Sequence, residues 1–268
     1  MYVLHMEKVS MSGKILYNLR FPRASTHLVV GPSGSGRTPQ IDTLKCNVLK
    51  LSFVYTHTGS GKTHRVARIL QLKDDIIEGG DEIKNVVFFY DIWQPVYQQL
   101  QDEGVVSKWI RASPTNETFT EAVEPYARNG GSIVVIDDFE KDAASADLAQ
   151  IVRVSSRHNN ASVFLLFQNL FPPQRHAREI SLNVKFLHIH KNPRENAQIQ
   201  YLARQLSPQS YKWIVDAFHM CTRTPFSAFL VDLDQQRENC LRFRSHYLPE
   251  EAPMRVWFER GIKMPMFK

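Results

Sequence analysis

A glycine-rich segment with the residue types that bind phosphate occurs twice in this chain. The first copy, GPSGSGRT, runs from Gly31 to Thr38, and the second, THTGSGKT, runs from Thr56 to Thr63. In the pattern G-x-x-x-x-G-K-[ST], the glycines let successive backbone N–H groups wrap a phosphate. The lysine reaches the β- and γ-phosphates, and the hydroxyl binds Mg²⁺. The spacing therefore predicts a site for a nucleoside triphosphate with Mg²⁺.

Neither copy carries every group that the pattern needs. The first copy has the opening glycine but places Arg37 where the lysine belongs, whereas the second has Lys62 and Thr63 but opens on a threonine. Joining Gly36 directly to Lys62 restores GPSGSGKT, which matches the whole pattern. We therefore interpret residues 37–61 as an insertion, bounded by a repeated Gly-Ser-Gly, that splits one nucleotide site.

An apolar strand precedes each copy, but the two copies differ in the helix that follows. Pro39 limits a helix after the first copy to about 39–45, because proline is tolerated only in the opening turn. After the second copy, apolar residues recur at helical spacing. We expect Lys62 and Thr63 to be the working half, with Leu51–Tyr55 as the strand; alternatively His27–Val30 is the strand and the insertion loops out. The predicted nucleotide-binding residues are Gly31, Gly34, Gly36, Gly59, Ser60, Gly61, Lys62 and Thr63.

A second chemical feature is an apolar strand that ends in two acids. The run SIVVI at 132–136 leads directly into Asp137 and Asp138. A carboxylate at the end of such a strand can bind Mg²⁺ beside the phosphate loop. The next carboxylate can polarise the attacking water as a general base. We predict Thr63 and Asp137 as metal ligands and Asp138 as a catalytic residue.

A glutamine follows the next dense apolar strand, 162–167, which should lie beside the strand that ends in Asp137. Gln168 could sense the γ-phosphate or orient the water; the alternative is a strand-end glutamine that caps the following turn. With this residue, the predicted catalytic set is Lys62, Asp138 and Gln168.

The distribution of apolar runs predicts the fold class. Hydrophobic residues make up 43% and charged residues 22% of the 268 positions, which is typical of a globular protein. Dense apolar strands separated by helical segments indicate a mostly parallel sheet with helices on both faces. The late strand 226–233 and the alternating residues 241–244 predict an antiparallel pair near the C-terminus. We predict a single α/β domain over 1–268, of the P-loop NTPase class.

Charge and cysteine content favour some partners and compartments over others. The net charge of +6 favours a polyanionic partner. The three cysteines have neither disulfide-framework nor metal-ligand spacing, so we expect an intracellular, reducing compartment: the nucleus or cytoplasm, with a virus-associated location as an alternative. No apolar stretch approaches about 18 residues and no signal sequence is evident, so we expect no membrane span.

Several blocks carry a more specific resemblance: Gly31–Gly36 continued by Lys62-Thr63, Ile136–Asp138, Phe167–Phe171, Ile180–Asn183, Lys191–Arg194 and Leu202–Gln205. From about Arg20 to Leu248 the chain resembles the genome-packaging ATPases of DNA viruses in the FtsK/HerA group. It is similar to their poxvirus-type members, particularly those of Polinton- and adintovirus-like elements. The QNLF and KNPR blocks are more specific than the P-loop and the double acid, which many NTPases share.

The resemblance implies that a homo-oligomeric ring uses ATP and Mg²⁺ to translocate double-stranded DNA into a capsid, with capsid components as partners. By position, Lys62 and Thr63 match the P-loop cation and the Mg²⁺ residue, Asp137 and Asp138 the acidic pair, and Gln168 the polar sensor. The 37–61 segment is absent from the family pattern. The alternatives are a domesticated protein that keeps the fold without turnover, and a replicative helicase-like NTPase. Candidates for an arginine finger are Arg175, Arg178 and Arg194.

Overall fold

The computed structural model describes residues 2–6 (backbone only), 21–30, 61–139, 145–171, 173, 175–192, 196–235, 239–251 and 253–259. The whole first glycine-rich copy therefore lies outside the described residues. So do the second copy as far as Ser60, the proposed strand Leu51–Tyr55 and the short helix proposed at 39–45. Of the proposed insertion, only Gly61 is described.

Within these described ranges, ten strands form one sheet in the order β1-β10-β9-β8-β7-β2-β6-β5-β3-β4. The strands are β1 (Tyr2–Met6), β2 (Thr26–Val30), β3 (Asn85–Phe89), β4 (Lys108–Ile110), β5 (Ser132–Asp137), β6 (Ala161–Phe167), β7 (Phe186–His190), β8 (Ala228–Asp232), β9 (Phe243–Ser245) and β10 (Met254–Phe258). From β4 to β7 all neighbours are parallel, and from β7 to β1 all are antiparallel. The predicted antiparallel pair is present as β8 and β9, which pair through Leu230 and Arg244.

Helices cover both faces of the sheet. They are α1 (Lys62–Gln71), α2 (Lys73–Ile76), α3 (Pro95–Asp102), α4 (Asn116–Val123), α5 (Ala146–Gln150), α6 (Ser156–His158), α7 (Ala177–Asn183), α8 (Asn196–Leu206) and α9 (Lys212–Cys221). Successive strand residues point to opposite faces. Val29 accordingly packs with the residues of α1 and α3, and Val30 with those of α4, α5, α7, α8 and α9. The predicted α/β class, mostly parallel with two covered faces, is confirmed.

Local sequence features set the boundaries of several elements. Helix α4 ends at Val123 and continues as a 3₁₀ turn over Glu124–Tyr126, because Pro125 cannot extend an α-helix. Between α5 and α6 the chain forms a π-helical segment, Ile151–Ser155. Helix α9 and strand β10 were not predicted from the sequence.

The topology brings those predicted site residues that the structure describes to one edge of the sheet. Strands β2, β6 and β5 are adjacent and parallel, so their carboxyl ends lie together. The strands that follow β2 in the chain, β3 to β6, lie on one side of β2. The chain then crosses from β6 to β7, which lies on the other side of β2. In open α/β sheets, ligands bind at such a switch point, outside the carboxyl ends of the strands.

A buried chain of polar side chains crosses the face of the sheet beneath α1. Ser25 Oγ lies 2.7 Å from His27 Nε2, His27 Nδ1 lies 3.1 Å from His188 Nε2, and His188 Nδ1 lies 2.8 Å from the Tyr247 hydroxyl. The His27 ring stacks on Phe164 at 4.1 Å between centroids. Burial, and secondarily the charge of Lys185, lowers the pKa of His27 to about 3. The imidazole is therefore held in its neutral form.

We predict that these buried histidines make the protein acid-sensitive. Unfolding exposes the His27 imidazole, which then takes up a proton below its ordinary pKa of 6.5. The free energy of unfolding should therefore fall as the pH drops below 6.5, by about 3 kcal/mol for this residue at pH 4.5. In His27→Gln the fall between pH 7 and 4.5, measured by urea unfolding, should be smaller by about that amount. His158→Gln, at an exposed position, should keep the wild-type pH dependence; equal pH profiles for the two variants would contradict the prediction.

Candidate functional site

The N-terminus of α1 has the features of an anion-binding position. Gly61 is its N-cap, with φ of 84°, in the left-handed region that favours glycine. A glycine has no side chain to cap the first turn, and that turn contains no acidic residue. Backbone N–H groups and the helix dipole make such an end a phosphate-binding position. Lys62 and Thr63 are the first two helical residues, and Lys62 is only 6% exposed.

The two predicted metal ligands are in direct contact. Thr63 Oγ1 donates a hydrogen bond of 2.9 Å to Asp137 Oδ2. Asp137 is the last residue of β5, and both side chains are buried. In nucleotide sites, Mg²⁺ takes oxygen ligands, with one or two carboxylates completed by phosphates and water. This hydroxyl–carboxylate pair fits that donor set.

The environment of Asp137 opposes its negative charge. Burial, and then the neighbouring charge of Asp138, raises the pKa of Asp137 to about 6. Hydrogen bonds from Tyr97 and Thr63 and the positive charge of Lys62 act in the opposite direction. A bound divalent cation would add a much larger stabilisation of the carboxylate. The buried acid is therefore suited to a metal ligand.

Tyr97 is a site residue that the sequence analysis missed. Its hydroxyl donates a hydrogen bond of 2.7 Å to Asp137 Oδ2, and its ring packs 4.8 Å from that of Phe88. Burial, reinforced by the charge of Asp137, raises the pKa of Tyr97, so the hydroxyl stays a donor. Helix α3 begins at Pro95, a residue suited to the first turn of a helix, but no sequence pattern indicates that the third residue of α3 faces the acid.

The second acid, Asp138, has a different environment. It is half-buried and has φ of 67°, a left-handed conformation that is uncommon for a residue other than glycine and often found at functional sites. Gln94 Nε2 donates a hydrogen bond of 3.1 Å to its Oδ2. Asp138 therefore combines a fixed position with access to solvent, as a group that orients a water molecule requires.

Gln168 lies immediately beyond β6, as predicted. Strand β6 pairs with β5 on one side, where Leu166 is opposite Asp137, and with β2 on the other. Gln168 is exposed and lies at the carboxyl edge of the sheet, between the ends of β2 and β5. Its position is compatible with either role considered for it, and its role as a sensor stays a prediction.

The rest of the predicted site is only partly described. The predicted binding residues Gly31, Gly34, Gly36, Gly59 and Ser60 lie outside the described residues. Of the arginine-finger candidates, Arg175 and Arg178 are exposed, and Arg194 lies outside the described part of the chain. A further unpredicted contact supports the loop after Gln168. Gln198 Oε1 accepts hydrogen bonds from the backbone N–H groups of Leu170, at 2.8 Å, and Phe171, at 3.3 Å.

Known proteins resemble this chain in structure and not detectably in sequence. No protein-family model matches the chain, and no curated protein matches it in sequence. Among solved structures, the chain is similar to the genome packaging NTPase B204 from Sulfolobus turreted icosahedral virus 2. With B204 bound to ATP-gammaS, the TM-score is 0.45 at 13% identity over 82% of this chain and 95% of B204. With the AMPPCP complex, the TM-score is 0.46 at 11% identity over 80% and 95%. At such low similarity, the chemistry of the site must be inferred from its own residues.

A buried arginine fixes α1, and with it Lys62 and Thr63, to the C-terminal part of the chain. Arg65 donates to Glu251 Oε1 at 2.6 Å and to the backbone carbonyl of Phe226 at 3.0 Å. One turn along, Arg68 donates to Glu250 Oε1 at 2.8 Å. Charge-assisted hydrogen bonds of this kind are about twice as strong as neutral ones. The antiparallel half of the sheet thereby supports the anion-binding helix end.

We predict that removing the Tyr97 hydroxyl destabilises the ligand-free protein. Tyr97→Phe keeps the ring but deletes a hydrogen bond to a buried carboxylate, and such bonds contribute about 2 kcal/mol. Urea unfolding at pH 8 should show a loss of that size. The control is Tyr90→Phe, whose ring lies 5.8 Å from that of Tyr97 in the same aromatic cluster. It should change the free energy of unfolding by less than about 0.5 kcal/mol; equal effects would show that the hydroxyl does not support Asp137.

Proposed function

We propose that this protein is a P-loop ATPase that binds ATP with Mg²⁺ and hydrolyses it. One observation carries the proposal: Thr63, at an anion-binding helix end, donates a hydrogen bond to the buried carboxylate of Asp137 at the end of β5. The two residues are far apart in sequence, and the sequence predicted both as Mg²⁺ ligands. A surface acid or a structural ion pair would not need this pairing at the carboxyl edge of a parallel sheet.

Each described site residue has a separate role in the proposed hydrolysis of ATP. Lys62 and the backbone of the first turn of α1 bind the β- and γ-phosphates. Thr63 and Asp137 hold Mg²⁺, which when bound neutralises the charge that develops on the phosphate oxygens. Asp138 orients a water molecule and accepts its proton as the water oxygen bonds to the γ-phosphorus and ADP leaves. Gln168 contributes to positioning that water or the γ-phosphate.

Beyond hydrolysis, we propose that the protein is a motor that translocates double-stranded DNA, as in genome packaging. The QNLF and KNPR blocks support this through their resemblance to FtsK/HerA-group packaging ATPases, and the net charge of +6 suits a polyanionic substrate. Such motors act as homo-oligomeric rings with capsid components as partners, and we extend both properties to this chain. We also propose an intracellular, reducing location, because the three cysteines have neither disulfide-framework nor metal-ligand spacing. No helix in the described part of the chain is long and apolar enough to cross a membrane.

We predict that ATP hydrolysis depends on the paired site residues. Lys62→Ala and Asp137→Asn should each lower kcat/KM for ATP by about 100-fold or more, because each removes a group that stabilises charge in the transition state. Phosphate release with and without Mg²⁺ is the measurement. Lys108→Ala, at an exposed position on the edge strand β4, is the matched control and should retain wild-type activity. Equal rates in all three variants would contradict the assignment.

The same assay separates the finer proposals. Stimulation of hydrolysis by double-stranded DNA supports the translocating motor, and stimulation by single-stranded DNA alone favours the helicase-like alternative. If wild-type protein binds ATP but hydrolyses none with any DNA, the protein has kept the fold without turnover.

We predict that deleting residues 37–61 strengthens ATP binding. The shortened chain joins Gly36 to Lys62 and so regains the complete GPSGSGKT pattern without altering β2 or α1. If one site has been split, its affinity for ATP with Mg²⁺, measured by calorimetry, should exceed that of the full chain by about tenfold or more, a difference of about 1.4 kcal/mol. If the shortened chain folds with the same thermal midpoint but binds ATP no better, the second copy is a complete site by itself.

A further inference from the structure

The connection between α9 and β8 lies beside the phosphate-binding helix end. Strand β8 runs antiparallel to β7 and begins at Ala228, which is opposite His190, the last residue of β7. The start of β8 is therefore at the carboxyl edge of the parallel strands. Residues 222–227, which lead into β8, reach the edge where Gly61 and Asp137 are located.

Phe226 in this connection has two unusual properties. Its φ of 65° is in the left-handed region, which costs free energy for a bulky residue, and 42% of its surface is exposed. Its ring also covers Gly61, because a Cβ added to this glycine would lie only 3.1 Å from Phe226 Cδ1. An exposed aromatic ring is therefore placed against the last glycine of the phosphate loop. The sequence analysis had assigned Phe226 to the start of a strand, which actually begins two residues later.

A buried cation holds this backbone conformation in place. Arg65 donates to the Phe226 carbonyl at 3.0 Å while its other branch pairs with Glu251. Arg65 also lies 5.2 Å from the centroid of the Tyr247 ring. At the start of the connection, Thr222 Oγ1 donates to the Phe218 carbonyl at 2.8 Å. Strained residues persist when the surrounding structure fixes them, and they cluster at ligand clamps and active sites.

The position of the acids determines the direction in which a bound nucleotide extends. Across the sheet the order is β5-β6-β2-β7-β8, so Asp137 and Phe226 lie on opposite sides of β2. In the proposed function, the metal and the γ-phosphate lie on the Asp137 side. The other end of the nucleotide then extends toward β7 and β8, and β8 is two strands, about 10 Å, from β2.

From this arrangement we infer that Phe226 is the platform on which the base of the bound nucleotide stacks. The inference rests on the proposed ATP site and adds to it the group that recognises the base. Stacking on an aromatic ring is tolerant of base identity, because every base has a π-face. Phe226 therefore contributes affinity for a nucleoside triphosphate over inorganic polyphosphate, with little preference between adenine and guanine.

The test compares a ligand that has a base with one that has none. Binding of ATP, GTP and inorganic tripolyphosphate, each with Mg²⁺, is measured by calorimetry. We use the full chain, Phe226→Ala, Phe226→Trp and the control Tyr201→Ala, which removes another exposed aromatic residue. Phe226→Ala should weaken the binding of ATP and GTP by about tenfold or more and leave the affinity for tripolyphosphate unchanged. Phe226→Trp and Tyr201→Ala should bind all three ligands as the wild type does.

The other outcomes are distinguishable from one another. An equal loss for ATP and tripolyphosphate in Phe226→Ala means that the ring shapes Gly61 and the phosphate loop, or that the variant misfolds, which thermal unfolding reveals. If Phe226→Ala is misfolded, ATP binding by Phe226→Trp is the test instead. A stacking platform predicts that this variant keeps its affinity for ATP, and a loss of ATP binding would overturn the inference. Unchanged ATP binding in Phe226→Ala also overturns the inference. If the wild type binds none of the three ligands, the proposed ATPase function itself fails.

Discussion

The hydrogen bond from Thr63 to Asp137 joins the beginning of α1 to the end of β5. Strand β6 separates β5 from β2, so this contact requires β2, β6 and β5 to be parallel and in register. The parallel order places both oxygens at one edge, and the apolar faces of β5 and α1 bury them. The geometry of the proposed metal site is thus a consequence of the order of strands in the sheet.

A second constraint is the cost of the charges that this edge buries. Burial removes the hydration of the Asp137 carboxylate, and the hydrogen bonds from Tyr97 and Thr63 compensate for only part of that loss. Arg65, two residues after Thr63, is also buried and pairs with Glu251 and the carbonyl of Phe226. Removing one partner of a buried pair leaves an uncompensated charge. The C-terminal antiparallel strands therefore help to determine where α1 begins, although they contribute no predicted catalytic residue.

The sequence predicted the parts of the molecule that depend on local pattern. The apolar run before Asp137, the helical spacing after Lys62 and the dense strand before Gln168 were sufficient for the α/β class and for the acidic edge. Tyr97 was not predictable, because it lies on an ordinary amphipathic helix and only the packing of α3 against β5 brings its hydroxyl to the acid. For the same reason, the roles of Arg65 and Gln198 were invisible, since their partners are distant in sequence. Helix α9 was missed although its buried residues recur at helical spacing.

The segment 31–60 connects two points at the same edge of the sheet. Val30 ends β2 at the carboxyl edge of the sheet, and α1 begins at that edge through the contact of Thr63 with Asp137. The entropic cost of closing a flexible connection grows only logarithmically, by about 0.6 kcal/mol for each doubling of its length. A gene can therefore acquire coding sequence at this point with little effect on the stability of the sheet. Folding and the proposed nucleotide chemistry are therefore separable at this point: an insertion here would alter the proposed ATP site and would affect the stability of the folded state only weakly.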